Sequence, residues 1–142
     1  MTIARLMDGR GSEVVCCEAS TTVRDAVSML AARRIGALPV MAAGAVAGIF
    51  SERDVIYQLQ AQGPAVLDRP VGEVMTAPAV TVAPETEILE ALTLMTRRRI
   101  RHLPVVADGA MVGFVSIGDL VKYRIERIES EAEAMRSYIQ TA

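Results

Sequence analysis

Two serine–aspartate pairs carry the clearest chemistry in this sequence. Ser51 with Asp54, and Ser116 with Asp119, each end a segment of the pattern Gly-apolar-apolar-Ser-x-x-Asp. Each segment is predicted to end a strand and begin a helix, whose first amides offer a site to an anion such as phosphate. The aspartate, one turn further on, can accept two hydrogen bonds from a vicinal diol such as a ribose. The same spacing is that of a capping box, which the pattern taken alone favours.

An internal repeat underlies the two pairs and favours a ligand over capping alone. When the sequence is aligned with itself at an offset of sixty-five residues, fifteen of the forty-one positions from 15 to 55 are identical. Each serine–aspartate pair follows a Leu-Pro-Val motif, at residues 38–40 and 103–105, at the same distance. A repeat fixes two copies of one structural unit, and therefore predicts two equivalent clefts.

Each repeat is predicted to fold as β-α-β-β-α. In the first repeat, a strand over residues 14–17 precedes a helix that begins after capping residues at 20–22 and ends at the arginines 33–34. Strands at 37–41 and 46–50, joined by a tight turn, lead into a helix at 52–62. The second repeat predicts a strand at 80–82, a helix at 86–98, strands at 102–106 and 111–115, and a final helix. Short helical segments at 3–7 and 71–75 precede the two units.

The predicted fold is α/β (α+β), with the two repeats packed as a pseudo-twofold pair because neither covers its own apolar sheet surface. We expect the first repeat at residues 8–63, a linker at 64–70, the second repeat at 71–126 and a C-terminal helical extension at 127–142. Apolar residues of the final helix follow a heptad spacing, which predicts pairing with a second copy, although the helix can also fold back on its own domain. These residues are Val121, Ile125, Ile128, Ala132, Met135 and Ile139.

The constellation resembles the cystathionine-β-synthase (CBS) domain family over nearly the whole chain. Besides the two Gly-x-x-Ser-x-x-Asp segments, the matching motifs are Val71-Gly72-Glu73-Val74-Met75-Thr76 and Ile100-Arg101-His102-Leu103-Pro104-Val105. The resemblance implies a regulatory module that binds an adenosine derivative, such as AMP, ADP, ATP, NAD(H) or S-adenosylmethionine, in clefts between the repeats. It implies that the two aspartates hold ribose, that the two serines hold phosphate, and that apolar strand residues border the base. Those bordering residues would be Ile35, Ala37, Pro39, Ile100 and Pro104.

The two clefts are not expected to be equal. Arg53 lies inside the first motif, where the second has Gly118, and Arg101 and His102 stand where the first repeat has Gly36 and Ala37. If a cleft combines the aspartate of one repeat with the strand residues of the other, as in family members, the three basic side chains converge. We therefore expect phosphate to prefer the Asp54 cleft.

Composition excludes several classes of function. The chain has 142 residues, is 51% apolar and carries a net charge of −2, so no strong field draws it to nucleic acid or anionic lipid. An uncharged stretch at 35–51 is interrupted by proline and glycine, so no membrane span is predicted. With one histidine and adjacent Cys16 and Cys17, neither a metal site nor a catalytic pairing emerges.

The leading hypothesis is a cytoplasmic, non-enzymatic homodimer that senses an adenine nucleotide and acts on an unidentified protein partner. A structural adaptor that no longer binds nucleotide is the alternative. A transcriptional regulator is disfavoured, because the repeats and their extensions leave no helix-turn-helix segment.

Overall fold

The computed structural model describes residues 1–11 and 13–141. Ser12 and Ala142, which fall within the predicted ranges 8–63 and 127–142, lie outside the described residues. The helices are α1 (Ile3–Met7), α2 (Val23–Arg33), α3 (Glu52–Gln62), α4 (Ile88–Arg98) and α5 (Ile117–Thr141). The strands are β1 (Cys17–Glu18), β2 (Ala37–Ala42), β3 (Ala45–Ser51), β4 (His102–Ala107) and β5 (Ala110–Ser116).

The first repeat forms a sheet in the order β1-β2-β3, with β1 parallel and β3 antiparallel to β2. Ala43 and Gly44 both take positive φ angles, 52° and 79°, in the turn that joins β2 to β3. Two successive positive φ angles are typical of the tight hairpin turn whose twist matches that of the strands. Helix α2 begins after Thr22, whose side chain accepts a hydrogen bond from the amide of Asp25.

The second repeat reproduces this arrangement with the antiparallel pair β4-β5. The predicted strand at 80–82 is reduced to one parallel bridge between Val82 and Val105. The predicted strand at 14–17 is likewise wrong in its bounds, since β1 covers Cys17–Glu18. Val14 and Val15 instead line a cleft, described below, and Val15 also packs on the core of the first repeat.

Residues 64–70, predicted as a linker, contain a 3-10 helix at Pro64–Asp68. Val66 at its centre is 1% exposed and packs in the core of the first repeat. This segment therefore belongs to the packed structure and is not a free connection.

The segments that precede the two repeats are exchanged between them. Ile3 and Leu6 of α1 are buried in the core of the second repeat, whereas Val71 and Val74 are buried in the core of the first. Each repeat thus completes its core with residues from the segment that precedes the other repeat in the chain. The pair is held together by this exchange, because neither core closes without the other segment.

Helix α5 carries the predicted heptad residues, and they are exposed. Leu120 packs in the core of the second repeat, but Ile125, Ile128 and Ile139 are 50%, 49% and 68% exposed. The last turns of α5 therefore do not fold back onto the repeats. An apolar helical stripe of this kind is typical of a surface that packs against another helix.

Candidate functional site

A cleft of about 610 Å³ lies between the two repeats, with Ser116 and Asp119 on one side of it. Ile35, Gly36 and Ala37, at the start of β2, line it from the first repeat. Its volume falls within the range of about 300–1,000 Å³ that is usual for small-molecule sites. We refer to it as the Asp119 cleft.

Ser116 and Asp119 cap the first turn of α5 reciprocally. The Ser116 amide donates to Asp119 Oδ2 at 2.8 Å, and the Asp119 amide donates to Ser116 Oγ at 3.1 Å. Burial alone would raise the pKa of the Asp119 carboxyl, but the Ser116 amide and the Arg10 guanidinium outweigh it and hold that pKa below its ordinary value of 3.8. The carboxylate at this edge of the cleft is therefore ionised at neutral pH.

Arg10 supplies the second partner of Asp119. Its Nη2 lies 3.1 Å from Asp119 Oδ1, and the two side chains are 43% and 33% exposed. Arg10 comes from the segment after α1, and Met7, the last residue of α1, also lines the cleft. The site is therefore built from the N-terminal segment and the start of β2, together with the start of β4, the end of β5 and the first turn of α5.

His102 lies in the Asp119 cleft, stacked on Phe114 with ring centroids 5.5 Å apart. Burial lowers the pKa of His102 below 6.5, although the nearby carboxylates of Asp119 and Glu52 act in the opposite direction. The expectation that His102 would serve the Asp54 cleft stays a prediction, and the structure places this side chain in the lining of the Asp119 cleft. His102 is the register partner of Ser116 in the β4-β5 pair, so it stays with the serine of its own repeat.

The equivalent aspartate of the first repeat, Asp54, also has partners within the chain. Ser51 and Asp54 form a capping box at the start of α3, with the Ser51 amide 2.9 Å from Asp54 Oδ2. The Thr76 hydroxyl donates to Asp54 Oδ1 at 2.9 Å. The Thr76 backbone also pairs with Ile49 of β3, through hydrogen bonds of 2.9 and 3.0 Å. Both oxygens of Asp54 are thus occupied, and the segment that occupies one of them is fixed to the sheet.

The remaining predicted site residues do not line the Asp119 cleft. Arg53 reaches across to the second repeat, where its Nη1 donates to the Arg99 carbonyl at 3.2 Å. Arg101 is exposed and accepts a backbone hydrogen bond from Ile117 at 2.8 Å. The three apolar residues lie within the packed repeats: Pro39 and Pro104 are buried in β2 and β4, and Ile100 packs on the second core.

Sequence reasoning missed Arg10, Met7, Phe114 and Thr76. The signal for Met7 was present, because the segments at 3–7 and 71–75 resemble each other and each ends in methionine. Met7 lies against Gly113 and Met75 against Gly48, the first residues of the two serine–aspartate motifs. Arg10 had no such signal, because it stands in a Gly-Arg-Gly sequence without a counterpart in the second segment.

Two further observations concern the residues that the structure describes. Nowhere in ranges 1–11 and 13–141 do three metal-ligating side chains of His, Cys, Asp or Glu stand together. Over the same ranges, every helix is too short or too polar to cross a membrane.

Comparison with known protein families gives two matches along the chain. The model of the family described as CBS domain matches residues 10–61 and 71–126. Among curated proteins, the chain is 38% identical over 148 residues to the CBS domain-containing protein CBSX3, mitochondrial, of Arabidopsis thaliana. That alignment covers 98% of this chain and 72% of the relative.

Solved structures show the same fold. The crystal structure of the CBS-domain containing protein ATU1752 from Agrobacterium tumefaciens is 36% identical, with a TM-score of 0.83. The match covers 87% of this chain and 99% of that one. The crystal structure of CBSX2 in complex with AMP is 27% identical, with a TM-score of 0.74 and coverage of 88% and 96%.

Proposed function

The chain belongs to the CBS domain family as a tandem pair of repeats, and we propose that it is a regulatory module that binds an adenine nucleotide in the Asp119 cleft. One observation carries this choice of site: the Asp119 cleft is an open volume of about 610 Å³. Each aspartate has a partner within the chain, but Asp119 lines this volume and its partner Arg10 is 43% exposed, whereas the partner of Asp54, Thr76, lies in a segment paired with β3. The sequence-based preference for the Asp54 cleft is therefore replaced by a proposal for Asp119.

The lining of the cleft supports an adenosine ligand. Asp119 is ionised and can accept hydrogen bonds from both hydroxyls of a ribose once the Arg10 guanidinium moves away. The apolar side chains of Ile35 and Ala37, with the His102–Phe114 stack, provide the flat, largely apolar walls that suit a purine ring. Ser116 at the start of α5 is placed to donate to a phosphate oxygen. A relative of similar fold, CBSX2, holds AMP, which supports the choice of this ligand class.

The test is a thermal-shift panel with AMP, ADP, ATP, NAD, NADH and S-adenosylmethionine, on wild type, Asp119→Ala and Asp54→Ala. A ligand at one hundred times its Kd stabilises the folded state by about 2.7 kcal/mol, which a melting curve detects readily. We expect at least one ligand to raise the melting temperature of wild type and of Asp54→Ala, but not of Asp119→Ala. The two variants are matched, since both aspartates cap a helix after a serine. A shift that survives in Asp119→Ala and disappears in Asp54→Ala would refute the site.

We further propose that the module acts as a homodimer through α5, because its apolar stripe is exposed. Ile125 and Ile128 lie on that stripe, while the exposed Glu126 lies outside it. Sedimentation of wild type should give a dimer, and Ile125→Asp with Ile128→Asp should shift it to a monomer that still unfolds in one cooperative transition. Glu126→Lys, at an exposed position outside the seam, is the control. A double variant that remains dimeric would place the contact elsewhere.

A structural adaptor without a ligand is the second candidate, favoured by one observation. Both aspartates already have partners within the chain, Thr76 for Asp54 and Arg10 for Asp119. If no ligand in the panel shifts the melting temperature while the dimer forms, the adaptor is the better account.

A further inference from the structure

Each aspartate of the repeated motif is met by a side chain from the exchanged segment, but the two side chains differ in charge and length. Asp54 receives the neutral, short hydroxyl of Thr76 at 2.9 Å. Asp119 receives the cationic guanidinium of Arg10 at 3.1 Å. The two repeats therefore share the same arrangement, but a ligand would have to displace a hydroxyl from Asp54 and a guanidinium from Asp119.

The backbone before Arg10 is fixed to the second repeat. The amides of Ile3 and Ala4 donate to the carbonyls of Thr86 and Pro84 at 2.9 and 2.8 Å, and Ile3 is fully buried. Met7, three residues before Arg10, lies against Gly113. Arg10 thus extends from an anchored segment, while its own side chain is 43% exposed and has room to turn toward the cleft it lines.

The chemistry of displacement separates two kinds of ligand. A ribose that forms hydrogen bonds to the Asp119 carboxylate leaves the Arg10 guanidinium without its partner. An uncharged nucleoside offers no replacement, whereas a phosphorylated one brings an anion that a guanidinium binds with two parallel hydrogen bonds. The anchor at Met7 keeps the guanidinium within the same cleft during this exchange.

We propose that Arg10 makes the Asp119 cleft select phosphorylated adenosine ligands over uncharged ones, by passing from the carboxylate of Asp119 to the phosphate of the ligand. This inference rests on the proposed function, since it requires that adenosine compounds bind there. It assigns to Arg10 a role in specificity that neither the repeat pattern nor the motif predicts.

The test is the ratio of the Kd for adenosine to the Kd for AMP, measured by calorimetry on wild type, Arg10→Ala and Arg10→Lys. Hydrogen bonds to charged groups correspond to about 10- to 150-fold in affinity, so Arg10→Ala should lower the ratio by about 10-fold or more. Part of the change should be tighter binding of adenosine, because the competing ion pair is gone. Arg10→Lys keeps the charge without the planar fork and should give an intermediate ratio. Arg5→Ala, on the same anchored segment, is the control and should leave the ratio unchanged.

The ratio is insensitive to small losses of stability, because both ligands are measured on the same protein. An unchanged ratio in Arg10→Ala, with AMP binding that still depends on Asp119, would overturn the role of Arg10 and leave the proposed function standing. Wild-type protein that binds neither adenosine nor any ligand of the panel would overturn both.

Discussion

Replacing Gly48 or Gly113 by alanine adds the same methyl group at equivalent positions of the two repeats, and the structure predicts unequal losses of stability. A Cβ on Gly48 would lie 2.6 Å from the Thr76 carbonyl oxygen and 2.7 Å from Met75 Sδ. A Cβ on Gly113 would meet the sulfur of Met7, and its next neighbour would be 3.6 Å away. Neither glycine has a positive φ, so the effect of each substitution is steric.

The size of each loss of stability depends on whether the atom next to the added methyl group can move away. The Thr76 oxygen cannot withdraw, because it accepts the Ile49 amide at 3.0 Å in a paired segment. Overpacking against a fixed group costs about 1–3 kcal/mol, so we expect Gly48→Ala to fall in that range. The Met7 side chain has rotatable bonds and can move aside, so Gly113→Ala should cost less than about 1 kcal/mol.

Urea unfolding measures the difference. With an m value of about 2 kcal/mol/M, Gly48→Ala should lower the midpoint by about 0.5–1.5 M, and Gly113→Ala by less than about 0.5 M. Adding Met7→Ala should remove the strain of Gly113→Ala, whereas adding Met75→Ala should not rescue Gly48→Ala, because the Thr76 oxygen remains. Equal losses at the two glycines, or rescue of Gly48→Ala by Met75→Ala, would refute the reasoning.

Three further predictions concern single residues. Phe50 is fully buried in the first core, so Phe50→Ala should cost about 3–5 kcal/mol in urea unfolding; a loss under 1 kcal/mol would show that the side chain is not packed there. Burial holds the folded-state pKa of His102 below 6.5, so the stability it contributes is complete above about pH 6.5 and is lost as the pH falls toward that folded-state value. Melting temperature should therefore fall less between pH 7 and 5 in His102→Gln than in wild type, and parallel curves would contradict this. Burial, with the nearby Cys16 and Glu18, raises the pKa of Cys17 to about 11, so this thiol should not react at pH 8. Native protein should therefore take up one iodoacetamide label per chain, at the half-buried Cys16. Two labels per chain would contradict this prediction.

Local patterns accounted for most of the secondary structure. The helix predicted at 52–62 is α3 with the same bounds, and the hairpin turns fall where glycine follows Ala43 and Asp108. Apolar spacing, capping residues and turn residues act over a few positions, so the sequence displays them directly. The first strand was misplaced because Val14 and Val15 are apolar but lie outside the sheet ladder: both border the cleft, and Val15 also packs on the first core.

The exchange of the segments around α1 and residues 71–75 could not be predicted in the same way. Each segment is short, and its apolar residues would fit either core equally well by composition. Which core they enter depends on contacts between residues far apart in the chain, such as Ile3 with Thr86. For the same reason the partner of Asp119, Arg10, was invisible to a comparison of the two repeats.

The serine–aspartate pattern had two interpretations, and the structure confirms one of them. Ser51 with Asp54, and Ser116 with Asp119, both form reciprocal caps. Capping uses one oxygen of each carboxylate, so it does not exclude a second role for the other oxygen. The role of the aspartates in binding ribose stays a prediction, and the surroundings of the two residues make Asp119 the one to test.

The most direct test of the central claim is the stoichiometry of AMP binding by calorimetry on wild type, Asp54→Ala and Asp119→Ala. The account predicts one AMP per chain in wild type and in Asp54→Ala, and an affinity at least about 10-fold weaker in Asp119→Ala. Two AMP per chain in wild type, or unchanged affinity in Asp119→Ala, would contradict it.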